Sequence, residues 1–131
     1  MILVVEDEDP VRRIIRRSLE ESGYLVIEAA NGREGLHVVE GSSRAPDLVL
    51  CDLIMPEMST QEFGDRLARM SRDIPILFMS ASPGTEVIRR GLLPTGAPFI
   101  EKPFTADDLA RVVRGVLERT ALQGAVRPPR R

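Results

Sequence analysis

Three acids, a hydroxyl and an amine stand at the ends of four short apolar runs in this 131-residue chain. Asp52 ends one run, Glu6 and Asp7 follow another, and Ser80 and Lys102 end two more. A carboxylate beside a buried strand is costly unless it has a partner or a task. These four run ends therefore indicate one site, assembled at one edge of one sheet.

The acids of this predicted site favour a hard divalent cation. Carboxylates only a few ångströms apart raise each other's pKa, and a cation relieves their repulsion at neutral pH. Oxygen ligands with room for water favour Mg²⁺ or Mn²⁺ over Zn²⁺, which prefers histidine or cysteine. Neither His37, in a helix pattern, nor Cys51, in a strand pattern, is suitably placed to serve Zn²⁺.

A phosphoryl group on Asp52 would complete the coordination of such a cation. Lys102 would pair with one phosphoryl oxygen as a point charge, and the Ser80 hydroxyl would donate to another. Phosphoryl transfer needs this division of labour, namely placement of the groups and neutralisation of the phosphoryl oxygens. The Asp52 carboxylate would be the nucleophile.

The apolar runs alternate with longer amphipathic segments, which predicts a doubly wound α/β fold. Strands are expected over residues 2–5, 25–29, 48–51, 76–79 and 99–101. Because these runs are apolar almost throughout, they should be buried on both faces of a five-stranded parallel sheet. Ligands of such sheets bind beyond the carboxyl ends of the strands, which is where the polar residues fall.

The segments between the strands carry helix signals. The first is expected to start at Asp9 as N-cap, with Pro10 at the first helical position, and to end at Gly23. Its apolar face is Val11, Ile14, Ile15 and Leu19, and its arginines Arg12, Arg13, Arg16 and Arg17 are predicted to face solvent. Asn31 and Thr105 are expected to open two later helices. Residues 82–98 are rich in Pro and Gly and predict a short helix over 85–90.

Composition bounds the class of protein. The chain is 43% apolar and 29% charged with a net charge of −2, which argues against disorder and against general nucleic-acid binding. No apolar run approaches the roughly 18 residues of a membrane helix, and a strand pattern from residue 2 leaves no room for a signal peptide. A single cysteine fits a reducing compartment, so a cytoplasmic location is expected. Residues 1–121 are predicted to form one domain, and 122–131 a disordered Pro- and Arg-rich tail.

From residue 2 to about residue 120, the chain resembles the receiver domain of two-component response regulators, a (βα)5 flavodoxin-like fold. The stretches that carry the resemblance are residues 2–8, 46–52, Met55-Pro56, Ser80-Ala81 and 102–104. In this order and spacing they are highly specific.

The resemblance implies a role for each residue of the site. Asp52 would be the phosphoacceptor, with Lys102 as the lysine typical of the family. Mg²⁺ would be bound by Asp7 and Asp52 directly, by Glu6 through water, and by the backbone carbonyl of Ile54. Ser80 would be the switch hydroxyl and Phe99 the switch aromatic, and the Lys102–Pro103 peptide is expected to be cis.

Three departures from the family pattern stand out. The first acid is Glu6, where Asp is commoner, and its extra methylene could shift a metal-bound water. Thr60 stands where the family usually has Gly, so a positive φ there would strain a β-branched residue. Residues 91–98 also differ from the usual run, so a dimer mode cannot be carried over, and we expect a monomer or a weak homodimer.

The resemblance implies transfer of a phosphoryl group to Asp52 from a histidine kinase or a histidine phosphotransfer domain. Asp52 would then lose the group by slow self-hydrolysis, so the chain would not turn over an external substrate. It would be a stand-alone regulator or the C-terminal receiver of a hybrid histidine kinase. The alternative is a receiver-like module that binds partners without phosphorylation. An aspartyl-phosphate phosphatase is disfavoured because Ile54 stands where it would need a second Asp, and a flavodoxin-like cofactor protein because acids follow the first strand.

Overall fold

The computed structural model describes residues 1–55, 57–70, 74–91, 93 and 96–126. Five parallel strands form one sheet in the order β2-β1-β3-β4-β5. The strands are β1 (Ile2–Val5), β2 (Val26–Ala29), β3 (Leu48–Asp52), β4 (Ile76–Ser80) and β5 (Phe99–Glu101). This confirms the predicted fold class, and each predicted strand lies within one residue of the observed one at either end.

Five helices connect and follow the strands within the described residues. They are α1 (Asp9–Glu21), α2 (Gly32–Gly41), α3 (Thr60–Met70), α4 (Gly84–Arg89) and α5 (Ala106–Val126). Buried residues of α1 and α5 pack on one face of the sheet, and those of α2, α3 and α4 pack on the other. None of the helices in this part of the chain is long and apolar enough to cross a bilayer.

The central strands are buried on both faces because their side chains alternate between two apolar layers. Val4 and Leu50 face the α1–α5 layer, whereas Leu3 and Val49 face the α2–α4 layer. All four are fully buried, as expected for a parallel sheet covered by helices on both sides. The core therefore ends where β1, β3, β4 and β5 end, and the polar residues begin there.

Helix α1 corrects three details of the sequence analysis. Asp9 is its first residue rather than its N-cap, and Glu8 precedes it without a side-chain cap. Ile14 is 69% exposed while Ile15 is 2% exposed, because successive helical residues point about 100° apart and the sheet can bury only one of them. The Arg12 side chain, predicted to face solvent, is only 14% exposed.

The helix ends predicted at Asn31, Thr105 and Gly23 are confirmed. The Asn31 side chain accepts a hydrogen bond from the Glu34 N–H at 2.8 Å. Thr105 Oγ1 accepts from the Asp108 N–H at 3.0 Å, and Asp108 Oδ2 accepts from the Thr105 N–H at 3.2 Å, which makes a reciprocal cap. Gly23 has φ +96° after α1, the left-handed conformation that glycine adopts without strain.

Two of the departures from the family pattern involve segments outside the strands. Thr60 begins α3 without a positive φ, and among the described non-glycine residues a positive φ occurs at Glu57 alone. Helix α4 covers 84–89, one residue earlier than predicted, while residues 92, 94 and 95 lie outside the described residues. Helix α5 continues to Val126, past the predicted domain boundary at 121. Pro56 and the tail residues 127–131 are likewise not described.

Candidate functional site

Strand register brings the predicted acids together. Val5 pairs with Cys51, so Glu6 and Asp52 leave adjacent strands side by side. One carboxylate oxygen from each of Glu6, Asp7 and Asp52 lies within 4.8 Å of the other two. Glu6 is buried, Asp52 is partly buried and Asp7 is exposed. The cluster is therefore anchored in the protein on one side and open to solvent on the other.

Lys102 supplies the positive charge that this cluster needs. Its Nζ lies 2.7 Å from Glu6 Oε1 and 2.9 Å from Asp52 Oδ2. Its backbone N–H donates to the Ser80 carbonyl at 2.8 Å, which extends the pairing of β4 and β5 by one residue. The Lys102–Pro103 peptide is cis, as the resemblance implied. One ammonium thus bridges carboxylates from the ends of β1 and β3.

The backbone supplies donors to the remaining oxygens of Glu6 and Asp52, the two acids that Lys102 bridges. The Ile54 N–H donates to Asp52 Oδ1 at 3.0 Å. The Asp7 N–H donates to Glu6 Oε2 at 3.1 Å. Each oxygen of Glu6 and Asp52 therefore has a hydrogen-bond donor, so both carboxylates are held in fixed orientations.

Burial and charge shift the protonation of the site in two ways. Burial, reinforced by the neighbouring Asp52, raises the pKa of Glu6 to about 7, although Lys102 opposes the shift. Burial alone would lower the pKa of Lys102, but its hydrogen bonds to Glu6 and Asp52 outweigh this and raise it. Lys102 therefore stays an ammonium at neutral pH, whereas Glu6 titrates between its carboxyl and carboxylate forms near that pH.

The donor set fits Mg²⁺ or Mn²⁺. Three carboxylates face one ammonium, which leaves net negative charge, and the ligands are oxygens as hard cations require. Cys51 does not compete, because its thiol is buried, burial strongly raises its pKa, and its Sγ lies 3.3 Å from Met55 Sδ. The site therefore favours a hard cation over Zn²⁺.

Comparison with known proteins identifies the family. The sequence model of the response regulator receiver domain family matches residues 2–114 of this chain. The chain belongs to the response regulator receiver domain family. Among relatives, YrkP of Bacillus subtilis, named as an uncharacterized transcriptional regulatory protein, is 37% identical over 93% of this chain and 52% of its own length. The sensor kinase CckA of Brucella abortus is 38% identical over 90% of this chain and 12% of its own.

Solved receiver structures share the fold. The receiver domain of the hybrid histidine kinase CckA has 35% identity and a TM-score of 0.72, over 88% of this chain and 97% of that one. NtrX from Brucella abortus has 29% identity and a TM-score of 0.83, over 95% of this chain and 28% of the NtrX chain. The chain spans about half the length of transcriptional regulators such as YrkP. Because its relatives include both regulators and a sensor kinase, both the stand-alone regulator and the hybrid-kinase receiver stay predictions.

The predicted switch residues of this receiver domain lie outside its carboxylate cluster. Ser80 is 3% exposed at the end of β4, and its Oγ accepts from the Ser82 N–H at 3.1 Å. Phe99 starts β5 opposite Phe78 and packs, partly buried, against the α2–α4 layer. The Ile54 side chain is 58% exposed. The switch roles of Ser80 and Phe99, and the Ile54 carbonyl as a metal ligand, stay predictions.

Sequence reasoning missed one residue of the receiver site, Arg12. Its Nη1 donates to the backbone carbonyl of Glu6 at 2.8 Å. The same guanidinium pairs with Asp9 at 2.5 Å and with Glu28 at 3.2 Å. Helical periodicity placed Arg12 on the solvent side of α1. The available signal was Glu28, a lone acid inside an apolar strand, which calls for a cationic partner.

Proposed function

We propose that this receiver domain accepts a phosphoryl group on Asp52 in a Mg²⁺-dependent reaction. The observation that carries the proposal is the bridge from Lys102 Nζ to Asp52 Oδ2 and Glu6 Oε1 at the carboxyl end of the sheet. It joins a nucleophilic carboxylate, a cation and further acidic ligands in one place. A strand-end Asp without these neighbours would be an ordinary turn residue.

The donor in this proposal is a phosphohistidine on a histidine kinase or a histidine phosphotransfer domain. An oxygen of Asp52 attacks phosphorus, the new oxygen–phosphorus bond forms, and the phosphorus–nitrogen bond breaks. The histidine nitrogen leaves with the bonding electron pair and takes a proton from solvent. Hydrolysis of the acyl phosphate by water later returns the Asp52 carboxylate and inorganic phosphate.

Lys102 and Ser80 would serve the phosphoryl oxygens. The Lys102 ammonium already lies 2.9 Å from Asp52, so it is close to any group attached there. Ser80 follows Met79, the register partner of Asp52, which places its hydroxyl on the neighbouring strand end. In this proposal both groups donate hydrogen bonds to the phosphoryl oxygens. The movement of Lys102 and Ser80 toward the phosphoryl group shifts the populations of two conformations of the domain.

Glu6, Asp7 and Asp52 would hold the Mg²⁺, with the Ile54 carbonyl as a further ligand and Glu6 acting through water. The ion would supply positive charge to the phosphoryl oxygens as negative charge develops on them. The orientation of Glu6, which Lys102 and the Asp7 N–H hold, would help to position the ion. Mn²⁺ would suit the same oxygen ligands.

Intact mass spectrometry tests the proposal. The protein is incubated with acetyl phosphate and Mg²⁺, with Asp52→Asn and an EDTA-treated wild type as controls. We expect the mass of one phosphoryl group on the wild type in Mg²⁺ and none in either control. Wild type that stays unmodified, and that binds neither Mg²⁺ nor beryllofluoride, would show that the domain works without phosphorylation.

A further inference from the structure

Resting on the proposed function, we propose that Arg12 is a positioning residue that fixes the orientation of the peptide between the metal ligands Glu6 and Asp7. The carbonyl of that peptide belongs to Glu6 and accepts from Arg12 Nη1 at 2.8 Å. Its N–H belongs to Asp7 and donates to Glu6 Oε2 at 3.1 Å. Both polar ends of one peptide plane are thus held. This fixes the direction of the N–Cα bond of Asp7, from which its side chain extends.

Arg12 is itself fixed from two directions. Its Nε donates to Glu28 Oε1 at 3.2 Å, and its Nη2 to Asp9 Oδ1 at 2.5 Å. Glu28 belongs to β2, where its backbone pairs with Val4 of β1. A planar guanidinium with several donors can hold three acceptors at once, which a lysine ammonium on a flexible stem cannot do in the same geometry. The Glu6–Asp7 peptide is therefore tied to both β2 and α1.

The position of Asp7 matters because it is the exposed member of the cluster. Glu6 and Asp52 accept hydrogen bonds from Lys102, and the structure assigns Asp7 no such side-chain partner among the described residues. The position of its Cα therefore rests on how the Glu6–Asp7 peptide is held. Residues that orient metal ligands typically change metal affinity by 10- to 100-fold when they are replaced.

Charge and positioning predict opposite effects of removing Arg12. If Arg12 acted only as a nearby positive charge, its loss would make the site more negative and would tighten Mg²⁺ binding. If it positions the Glu6–Asp7 peptide, its loss lets Asp7 swing and weakens Mg²⁺ binding. The sign of the change in Kd therefore separates the two roles.

Arg16→Met is the matched control for Arg12→Met. Arg16 lies one turn further along α1 and also pairs with Glu28, at 2.6 Å, but it does not contact the Glu6 carbonyl. Titration calorimetry is expected to show a Mg²⁺ Kd raised about tenfold or more in Arg12→Met and changed by less than about twofold in Arg16→Met. A folded Arg12→Met with an unchanged or lower Kd would overturn the proposal, whatever its melting temperature.

Two further measurements keep the test decisive. If Arg12→Met fails to fold, Arg12→Lys keeps the charge and is still expected to weaken Mg²⁺ binding, so wild-type affinity in that variant would refute the role. The exchange rate of the Asp7 amide proton, measured without metal, should rise in the Arg12 variant and not in Arg16→Met. An unchanged rate contradicts the positioning role, whereas wild type that binds no Mg²⁺ contradicts the proposed function instead.

Discussion

Glu6 is the residue whose surroundings depart furthest from those of an ordinary surface acid. It is 1% exposed, and one ammonium and one backbone N–H hold its two oxygens. The types of the site residues could be predicted from the sequence, since each ends an apolar run. Their meeting in one site could also be predicted, but the direct contact between Glu6 and Lys102 was not, because Lys102 was expected to pair with a phosphoryl oxygen and Glu6 with a metal-bound water.

Glu6 should make the stability of the metal-free protein depend on pH. Its pKa rises from 4.5 to about 7 on folding, so the folded state holds this proton more tightly than the unfolded state does. That contribution to stability is fully present below pH 4.5 and is lost as pH rises through about 7. Urea unfolding in EDTA at several pH values should show this dependence. The free energy of unfolding of the wild type should fall relative to that of Glu6→Gln as pH rises across this window.

The two proteins share all other titrating groups, and Lys102, whose pKa Glu6 raises further, stays charged across this pH range, so the difference reports chiefly on Glu6. Gln keeps the shape of the side chain and an oxygen that can accept from Lys102, but it cannot ionise. Parallel stability curves for the two proteins between pH 4.5 and 8 would contradict the raised pKa.

At the scale of elements, the strands were more predictable than the helices. A buried parallel strand is apolar on both faces, so its extent can be seen in the sequence directly. Helix α1 offers two adjacent isoleucines, Ile14 and Ile15, and periodicity cannot decide which one the sheet buries. Its packing against β1, β2 and α5 decides in favour of Ile15 and turns Arg12 toward Glu28.

The two isoleucines of α1 should therefore differ in their effect on stability. Ile15→Ala removes a side chain that is 2% exposed and leaves a cavity in the α1–α5 layer, which should lower the free energy of unfolding by about 3 kcal/mol. Ile14→Ala changes a side chain that is 69% exposed and should alter it by less than about 0.5 kcal/mol. Urea denaturation measures both, and equal losses would mean that the helix packs in another orientation.

At the scale of the whole molecule, the parallel sheet and its two helical layers were predictable because apolar strand patterns alternate with amphipathic helix patterns along most of the chain. The distance between each helical layer and the sheet could not be predicted in the same way. Helix α2 comes so near the sheet that a Cβ added at Gly35 would lie 3.2 Å from Val5 Cγ2 and 3.4 Å from Phe63 Cε1. Val5 immediately precedes Glu6, so the packing of this layer reaches the site.

Alanine substitutions at two helical glycines should have opposite effects. Gly115 in α5 has nothing within 4 Å of an added Cβ, so Gly115→Ala should raise the free energy of unfolding by about 0.5–1 kcal/mol through its helix propensity. Gly35→Ala gains the same propensity but crowds Val5 and Phe63, and overpacking of about 1–3 kcal/mol should make it destabilising. Thermal and urea unfolding would test this, and equal stabilisation by both would disprove close packing at α2.

The bridge that Lys102 forms has a consequence for how the protein awaits its signal. The ammonium occupies the place of a counter-ion and comes from the chain itself, from the end of the last strand. A domain with such a built-in counter-ion can fold and accumulate before any magnesium reaches it. On the proposed Mg²⁺-dependent phosphorylation of Asp52, scarcity of the ion would silence the response without reducing the amount of intact protein, and restored supply would revive it without new synthesis.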